Sequence, residues 1–143
     1  MLEPEAVAIV NPNRLNETSE YGHLAAVGVV FLLLVALNQK LRESRDVPNL
    51  LQWLDIVALG TVCDVVALHG VNRALVAQGL KVMAQRQNVG MRAVMDSAGL
   101  DEEPSVYTCG FVIGPRINAG GRVGKSDLGT RLLSTENETE AAA

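Results

Sequence analysis

One acidic residue, Asp64, lies in an otherwise apolar stretch of the chain. The stretch covers residues 57–68 and reads VALGTVCDVVAL, so valines and a cysteine flank the acid. A carboxylate in such surroundings is costly to bury unless a backbone donor, an arginine or a metal ion pairs with it. Asp64 is therefore the first candidate for chemistry, and spacing alone leaves these three partners open.

Few residues that bind metal ions lie near Asp64 in the sequence. A two-metal hydrolytic site needs several carboxylates and histidines around ions about 4 Å apart. The chain has no His-x-His, Asp-x-Asp or Asp-His-His pattern. We expect Asp55 on the solvent side of a helix, His23 at a helix start and His69 in an exposed turn. These positions do not assign a metal ion to Asp64.

The second candidate is the segment 114–124, which reads GPRINAGGRVG. Its four glycines and one proline predict an irregular loop. Arginine suits bidentate phosphate contacts, and a glycine-rich turn can present backbone N–H groups to an anion. Arg116, Asn118 and Arg122 are therefore candidate phosphate ligands, and the alternative is a structural turn with arginines at the surface. The glycine spacing does not match a Walker loop.

The composition limits the class of protein. With 143 residues, the chain is at most one domain or a part of a larger one. It is 48% hydrophobic but only 3% aromatic, which predicts an aliphatic core. The net charge of −4 argues against an autonomous nucleic-acid-binding module, although a local basic patch is compatible with it. Cys63 and Cys109 are expected to be free, buried thiols of a reducing cytosol.

Apolar patterns predict the elements of the first third of the chain. Residues 6–10 (AVAIV) predict a strand buried in a parallel sheet, and residues 11–22 predict a loop. A long helix is expected over 23–45, with its first half buried on nearly all sides. Its apolar run, 24–37, is shorter than the roughly 20 residues that span a bilayer, so we expect no membrane segment.

The remaining pattern is helical. Asn49 is expected to cap a helix over 50–59, which Gly60 and Thr61 end, with Asp64 in a short extended or irregular segment beyond it. Since one strand cannot form a sheet by itself, we expect the chain to lack an N-terminal portion, and a C-terminal portion, of a longer protein. Further helices are predicted from Asn72 for about 14 residues, over 91–98, over 105–112 and over 126–134, and another helix is expected to begin within 135–143.

Two segments together resemble a known family. Residues 59–66 (LGTVCDVV) resemble the fourth motif of the DHH-family phosphoesterases. Residues 110–122 (GFVIGPRINAGGR) resemble the signature of the RecJ branch, the single-strand-specific 5′→3′ exonucleases. The segments 10–13 and 24–29, and the Asn72-Arg73 pair, are also similar to that branch and occur in the expected order. The resemblance covers nearly the whole chain.

The resemblance implies an α/β fold class, in which this chain is the mostly helical C-terminal part of a DHH-type parallel-sheet domain plus a helical connector. A pair of Mn²⁺ or Mg²⁺ ions at the edge of the sheet is the implied cofactor, with Asp64 as one ligand. Arg116, Asn118 and Arg122 are implied to lie near the substrate phosphates. The Asp-His-His motif and the other acidic ligands would lie upstream of Met1, and most of the DNA-clamping domain beyond Ala143.

The same resemblance implies a division of the chain and a cellular context. Residues 1–70 would end the phosphoesterase domain, 71–112 would form the helical connector, and 113–143 would begin the DHH-associated substrate-binding region. The implied partner is single-stranded DNA, with a helicase and a single-strand-binding protein as further partners. The implied role is DNA repair and recombination in the bacterial cytoplasm.

With a single metal ligand, these 143 residues are expected to have no nuclease activity of their own. Two other functions stay open from the sequence. One is a DHH-family phosphatase or oligonucleotidase that acts on short substrates, which the segment 110–122 argues against. The other is a non-catalytic remnant or interaction module.

Overall fold

The computed structural model describes residues 5–123 and 125–142, and the regular elements there are helical. The expected strand over 6–10 is wrong for this part of the chain: the segment is irregular, and Val7 is fully exposed. A strand needs a neighbouring strand for its backbone hydrogen bonds, and the described residues supply none. The α-helices are α1 (Ala26–Leu41), α2 (Leu54–Cys63), α3 (Gly70–Ala84), α4 (Val89–Ser97), α5 (Gly114–Val123), α6 (Leu128–Ser134) and α7 (Glu138–Ala142).

Helix α1 is buried on one side only. Gly28 and Phe31 face the rest of the molecule, whereas Val30, Leu33 and Leu37 are each about half exposed. The expectation of burial on nearly all sides is therefore wrong for this chain, because an apolar surface in a sequence does not specify which element covers it. No helix of the described residues is long and apolar enough to cross a membrane.

Helix α2 does not end at Gly60 and Thr61 as expected. A 3₁₀ turn over Leu50–Trp53, capped by the Asn49 side chain, leads into α2, which continues to Cys63. Thr61 is fully buried and donates its hydroxyl to the Val57 carbonyl oxygen at 2.7 Å, inside the helix. At Gly60 a Cβ atom would lie 2.9 Å from Val27 of α1. Gly60 therefore serves close helix packing, not helix termination.

Helices α2 and α3 form the centre of the fold. They pack closely because Gly79 of α3 lies directly against the Leu54 carbonyl oxygen and the Ala58 side chain of α2. A similar contact sets Gly90 of α4 against the backbone of Leu132 in α6. The larger core lies between these helices and consists of Leu59, Met83, Met91, Val94, Met95, Cys109 and Ile113.

The described part of the glycine-rich segment, residues 114–123, is a helix and not the irregular loop that its composition predicts. A π-helical stretch over Thr108–Ile113 passes directly into α5. The Gly114 N–H bonds the Cys109 carbonyl oxygen, five residues back, and Pro115 follows in the first turn of α5, where a missing N–H is tolerated. Contacts of Gly114 and Ile117 with the core supply the stabilisation that glycine propensity lacks. The predicted division at residues 70 and 112 stays a prediction.

Candidate metal and phosphate site

Asp64 occupies the C-cap of α2. Its backbone N–H donates to the Gly60 carbonyl oxygen at 3.0 Å, and its side chain is exposed. Within residues 5–123 and 125–142, no side chain or backbone group pairs with its carboxylate. Of the three partners that the sequence left open, the backbone donor and the arginine are not supplied by this part of the chain.

The residue after Asp64 has an unusual backbone conformation. Val65 has φ of +58°, in the left-handed region that β-branched residues rarely adopt, and its side chain is 88% exposed. Such a conformation costs about 1–3 kcal/mol and persists where the surroundings determine it. Strained positions of this kind cluster at binding and catalytic sites, so Val65 marks the end of α2 as a candidate site.

Asn72 holds the loop that follows Val65. It is fully buried in the first turn of α3, and its Nδ2 donates to the carbonyl oxygens of Ala67, at 3.1 Å, and His23, at 2.9 Å. The loop is thereby fixed both to α3 and to the segment that leads into α1. The ring of His23 also lies 4.7 Å from that of His69, between centroids. Asn72 therefore determines the course of the chain on the far side of Asp64.

The helix α5 reaches the same end of α2 through a glycine contact. Gly114 lies so close to the Cys63 sulfur that a Cβ atom would collide with it, and the Cys63 thiol donates to the Cys109 carbonyl oxygen at 3.6 Å. Beside this contact is a cleft of about 660 Å³, lined by residues of α1, α2 and α5 that include Cys63 and Asn118. The two segments singled out in the sequence thus meet at one place.

The three candidate phosphate ligands do not share one face of α5. Asn118 lines the cleft beside Cys63, and Arg122 is one helical turn further on the same side. Arg116 is six residues from Arg122, about 240° around the helix. It lines a second, smaller groove against α6, and its guanidinium donates to the Val112 carbonyl oxygen at 2.9 Å.

Asp55 does not belong to this site. The expectation that it faces solvent is wrong: it is 3% exposed in the first turn of α2, and its Oδ1 accepts the Ile56 N–H at 2.7 Å. Burial raises the pKa of its carboxyl group. Among the described residues, no group of three or more His, Cys, Asp or Glu side chains could hold a metal ion. The donor set here is thus one carboxylate, a hard oxygen ligand of the kind that Mn²⁺ and Mg²⁺ prefer.

The cysteines carry no thiolate chemistry in this arrangement. Both are free, as predicted, but Cys63 is exposed whereas Cys109 is fully buried. Burial raises the pKa of the Cys63 thiol, and burial together with the nearby Cys63 raises the pKa of Cys109 to about 12. Protonated thiols are poor nucleophiles and poor metal ligands. Their role is therefore packing between α2 and the π-helical stretch.

Comparison with known proteins supports the family resemblance of the segments 59–66 and 110–122. No protein-family model matches the chain. The single-stranded-DNA-specific exonuclease RecJ of Salmonella typhimurium is 40% identical over 147 residues, which covers 96% of this chain and 26% of that protein. RecJ of Bacillus subtilis is 36% identical over 139 residues, covering 96% of this chain and 17% of that protein.

The fold of this chain also matches a solved RecJ structure. The crystal structure of RecJ from Thermus thermophilus in complex with Mn²⁺ matches with a TM-score of 0.70 and 35% identity, over 92% of this chain and 18% of that one. The chain belongs to the RecJ family and corresponds to one segment of its members. It spans about a quarter or less of the length of the curated relatives it matches. The Thermus protein has also been solved with Mg²⁺, with the same TM-score of 0.70.

The RecJ segment contains features that sequence reasoning missed. The left-handed Val65 carries no sequence signal, since valine is among the residues least expected there. Apart from the position of Asn72 at a helix start, no sequence pattern predicts that this side chain is buried and holds the loop. The only sequence feature at the contact between Gly114 and Cys63 is the Gly-Pro pair directly before Arg116. Such a pair is typical of a loop, and spacing cannot identify the helix that a glycine contacts.

Proposed function

We propose that this chain forms part of a metal-dependent exonuclease that hydrolyses single-stranded DNA in the 5′→3′ direction. The observation that carries the proposal is the contact between Gly114 and Cys63. It sets the start of α5 against Cys63, the residue before Asp64, and Asn118 lines the cleft beside this contact. The RecJ relatives, named as single-stranded-DNA-specific exonucleases, support this function for the complete protein.

In this proposal Asp64 holds one ion of a Mn²⁺ or Mg²⁺ pair. Its carboxylate is exposed and unpaired among the described residues, at the C-cap of α2. When bound, such an ion pair activates water and neutralises charge on the phosphate. The remaining metal ligands would come from regions of RecJ proteins outside the segment that this chain matches.

The phosphate contacts divide between the two sides of α5. Asn118 and Arg122 project from the cleft side and would contact phosphates close to the hydrolysed bond. Arg116, on the other side, would contact a phosphate further along the strand after releasing the Val112 carbonyl oxygen. Arginine suits this role because its fork of N–H groups matches phosphate oxygens.

The proposed biological context rests on the resemblance to the RecJ family. Single-strand digestion belongs with DNA repair and recombination in the bacterial cytoplasm, where a helicase and a single-strand-binding protein would supply or protect the substrate. The isolated chain is expected to be inactive, since Asp64 alone cannot hold a metal pair.

A chimera provides the direct test. This chain would replace the matching quarter of Salmonella typhimurium RecJ, and digestion of single-stranded DNA labelled at either end would be measured with Mn²⁺. We expect the chimera to degrade DNA from the 5′ end. Asp64→Asn should lower its rate by more than about 100-fold, beyond the 10- to 100-fold typical of residues that only support metal ligands.

The exposed Asp101→Asn is the matched control and should leave the rate unchanged. A folded chimera that keeps its activity with Asp64→Asn would refute the metal role. Faster hydrolysis of dinucleotides than of long strands would identify an oligonucleotidase instead. Mn²⁺-dependent digestion by the isolated chain would refute the expected inactivity.

A further inference from the structure

Two exposed aromatic rings lie directly before the candidate phosphate ligands. Tyr107 is 66% exposed and Phe111 is 71% exposed, more than the other exposed aromatic side chains of the described residues. Their rings stack on each other, with centroids 5.1 Å apart and planes 25° apart. Two large apolar rings held together at the surface expose area that folding normally buries, so they form a defined patch on the chain.

The patch and the phosphate ligands share one side of a continuous helical rod. The residues Tyr107, Phe111, Pro115, Asn118 and Arg122 follow at spacings of four, four, three and four, which return to the same side of a helix. The opposite side holds the buried Cys109 and Ile113. The aromatic pair and the polar ligands therefore form one exposed track, with Phe111 and Arg122 about 16 Å apart along the axis.

The charge of this part of the chain selects the class of ligand. Residues 104–126 contain Arg116, Arg122 and Lys125 and no acidic residue, although the whole chain has a net charge of −4. A basic segment interleaved with exposed aromatic rings suits a polyanion whose neutral groups are flat. Single-stranded nucleic acid has this chemistry, because its bases stack on aromatic rings while its phosphates pair with cations.

We propose that Tyr107 and Phe111 form a stacking site for a nucleobase of single-stranded DNA whose phosphates run along α5. The proposal rests on the proposed function and adds the contact that grips the strand away from the hydrolysed bond. Stacking of this kind accepts any base, since every base has a flat face. It would also discriminate against duplex DNA, in which the bases are already stacked and paired.

The test compares an intact oligonucleotide with one that lacks bases. Binding of the full chain to a fluorescent 12-nucleotide dT strand, and to a matched abasic strand, would be measured by anisotropy at low salt. We expect wild type to bind dT about tenfold more tightly than the abasic strand. The double substitution Tyr107→Ala with Phe111→Ala should remove this preference and leave abasic binding unchanged.

Two further variants separate stacking from general apolar contact. Tyr107→Leu with Phe111→Leu keeps apolar bulk without rings and should lose the preference as the alanine pair does. Tyr21→Ala, at an exposed tyrosine outside the track, should retain it. Circular dichroism of each variant would confirm that the helices are intact.

The outcomes distinguish the two proposals. Equal binding of both strands by wild type would overturn the stacking site and leave the proposed function standing. Binding of neither strand would overturn the phosphate contacts and the stacking site together. Self-association that the alanine pair abolishes, with unchanged DNA binding, would assign the rings to a protein contact and overturn the stacking site.

Discussion

Helix α2 carries an aspartate near each end, and the two carboxylates lie in opposite environments. Asp55, in the first turn, is buried and accepts a backbone N–H. Asp64, at the C-cap, is exposed and has no partner among the described residues. A negative charge is favourable at the N-terminus of a helix and unfavourable at its C-terminus, because the helix dipole is oriented that way.

The difference separates a buried acid that has a backbone hydrogen bond from an exposed acid whose carboxylate has no partner among the described residues. Burial disfavours the ionised form of Asp55, and the backbone hydrogen bonds offset this only in part, so its pKa is raised. No contact among the described residues stabilises the carboxylate of Asp64, and the next residue, Val65, adds backbone strain. Features that reduce stability concentrate where a protein binds or reacts. The substitutions below therefore change residues at the two ends of α2, or the residue that supports the loop after Asp64.

The largest effect is expected from Asn72→Ala, which removes the support of the loop after Asp64. The His23 carbonyl oxygen would lose its donor and the Ala67 carbonyl oxygen would keep only the His69 N–H, so the free energy of unfolding should fall by about 2 kcal/mol. Urea denaturation measures this change. Asn16→Ala, in an exposed loop, is the control. Equal stability of the two variants would show that the loop is held by other contacts.

Val65→Gly should stabilise the chain by about 1 kcal/mol, since glycine adopts a positive φ without strain and the valine side chain is exposed. Thermal unfolding would show a raised midpoint. Arg86 also has a positive φ, of +55°, but donates to the Leu100 carbonyl oxygen at 3.2 Å and pairs with Asp96. Arg86→Gly should therefore bring no gain. A loss on Val65→Gly would contradict the strain assigned to the end of α2.

A smaller gain is expected from Asp64→Asn. Removal of a negative charge from the C-terminus of α2 should stabilise the chain by about 0.5 kcal/mol at low salt, and less at high salt. Chemical denaturation at two salt concentrations tests it, with Asp101→Asn as a surface control. Destabilisation by Asp64→Asn would reveal a partner that this conformation does not show, and would remove the contrast with Asp55.

The last prediction concerns how the free energy of unfolding changes with pH. Burial raises the pKa of Asp55 above its ordinary value of 3.8, so the folded chain retains a proton that the unfolded chain releases. The free energy of unfolding that depends on Asp55 should therefore fall as pH rises from about 3.8 through the folded pKa. Asp55→Asn should flatten this slope in denaturation at a series of pH values. An unchanged slope would contradict the burial of the ionised group.

Sequence patterns predicted the helices whose apolar spacing is regular. α3, α4 and α6 begin and end within about three residues of their expected bounds, because a repeated apolar face requires a helix against the core. The Asp64 end of α2 and the segment around Arg116 were also predicted to form the site, from their resemblance to the RecJ family. Their roles as metal and phosphate ligands stay predictions.

The errors have a common physical cause. Composition predicts helix breaks at Gly60 and at the glycines of α5, whereas Gly60 and Gly114 serve as contact points between helices. Local composition shows that a glycine is present but not which helix it contacts. The same limitation applies to Asp55, whose burial depends on packing beyond its own helix, and to the strand expected over 6–10, which needs neighbours.

The π-helical stretch over Thr108–Ile113 has a consequence for the length of this segment. Its wider turn takes up one residue more than an α-helical turn would. If the same residues wound as an ordinary α-helix, everything beyond them would rotate by about 100°, because the extra residue would no longer be taken up. Gly114 would then turn away from Cys63, and Asn118 would leave the cleft. The π-helical winding of Thr108–Ile113 therefore sets which side of α5 faces α2.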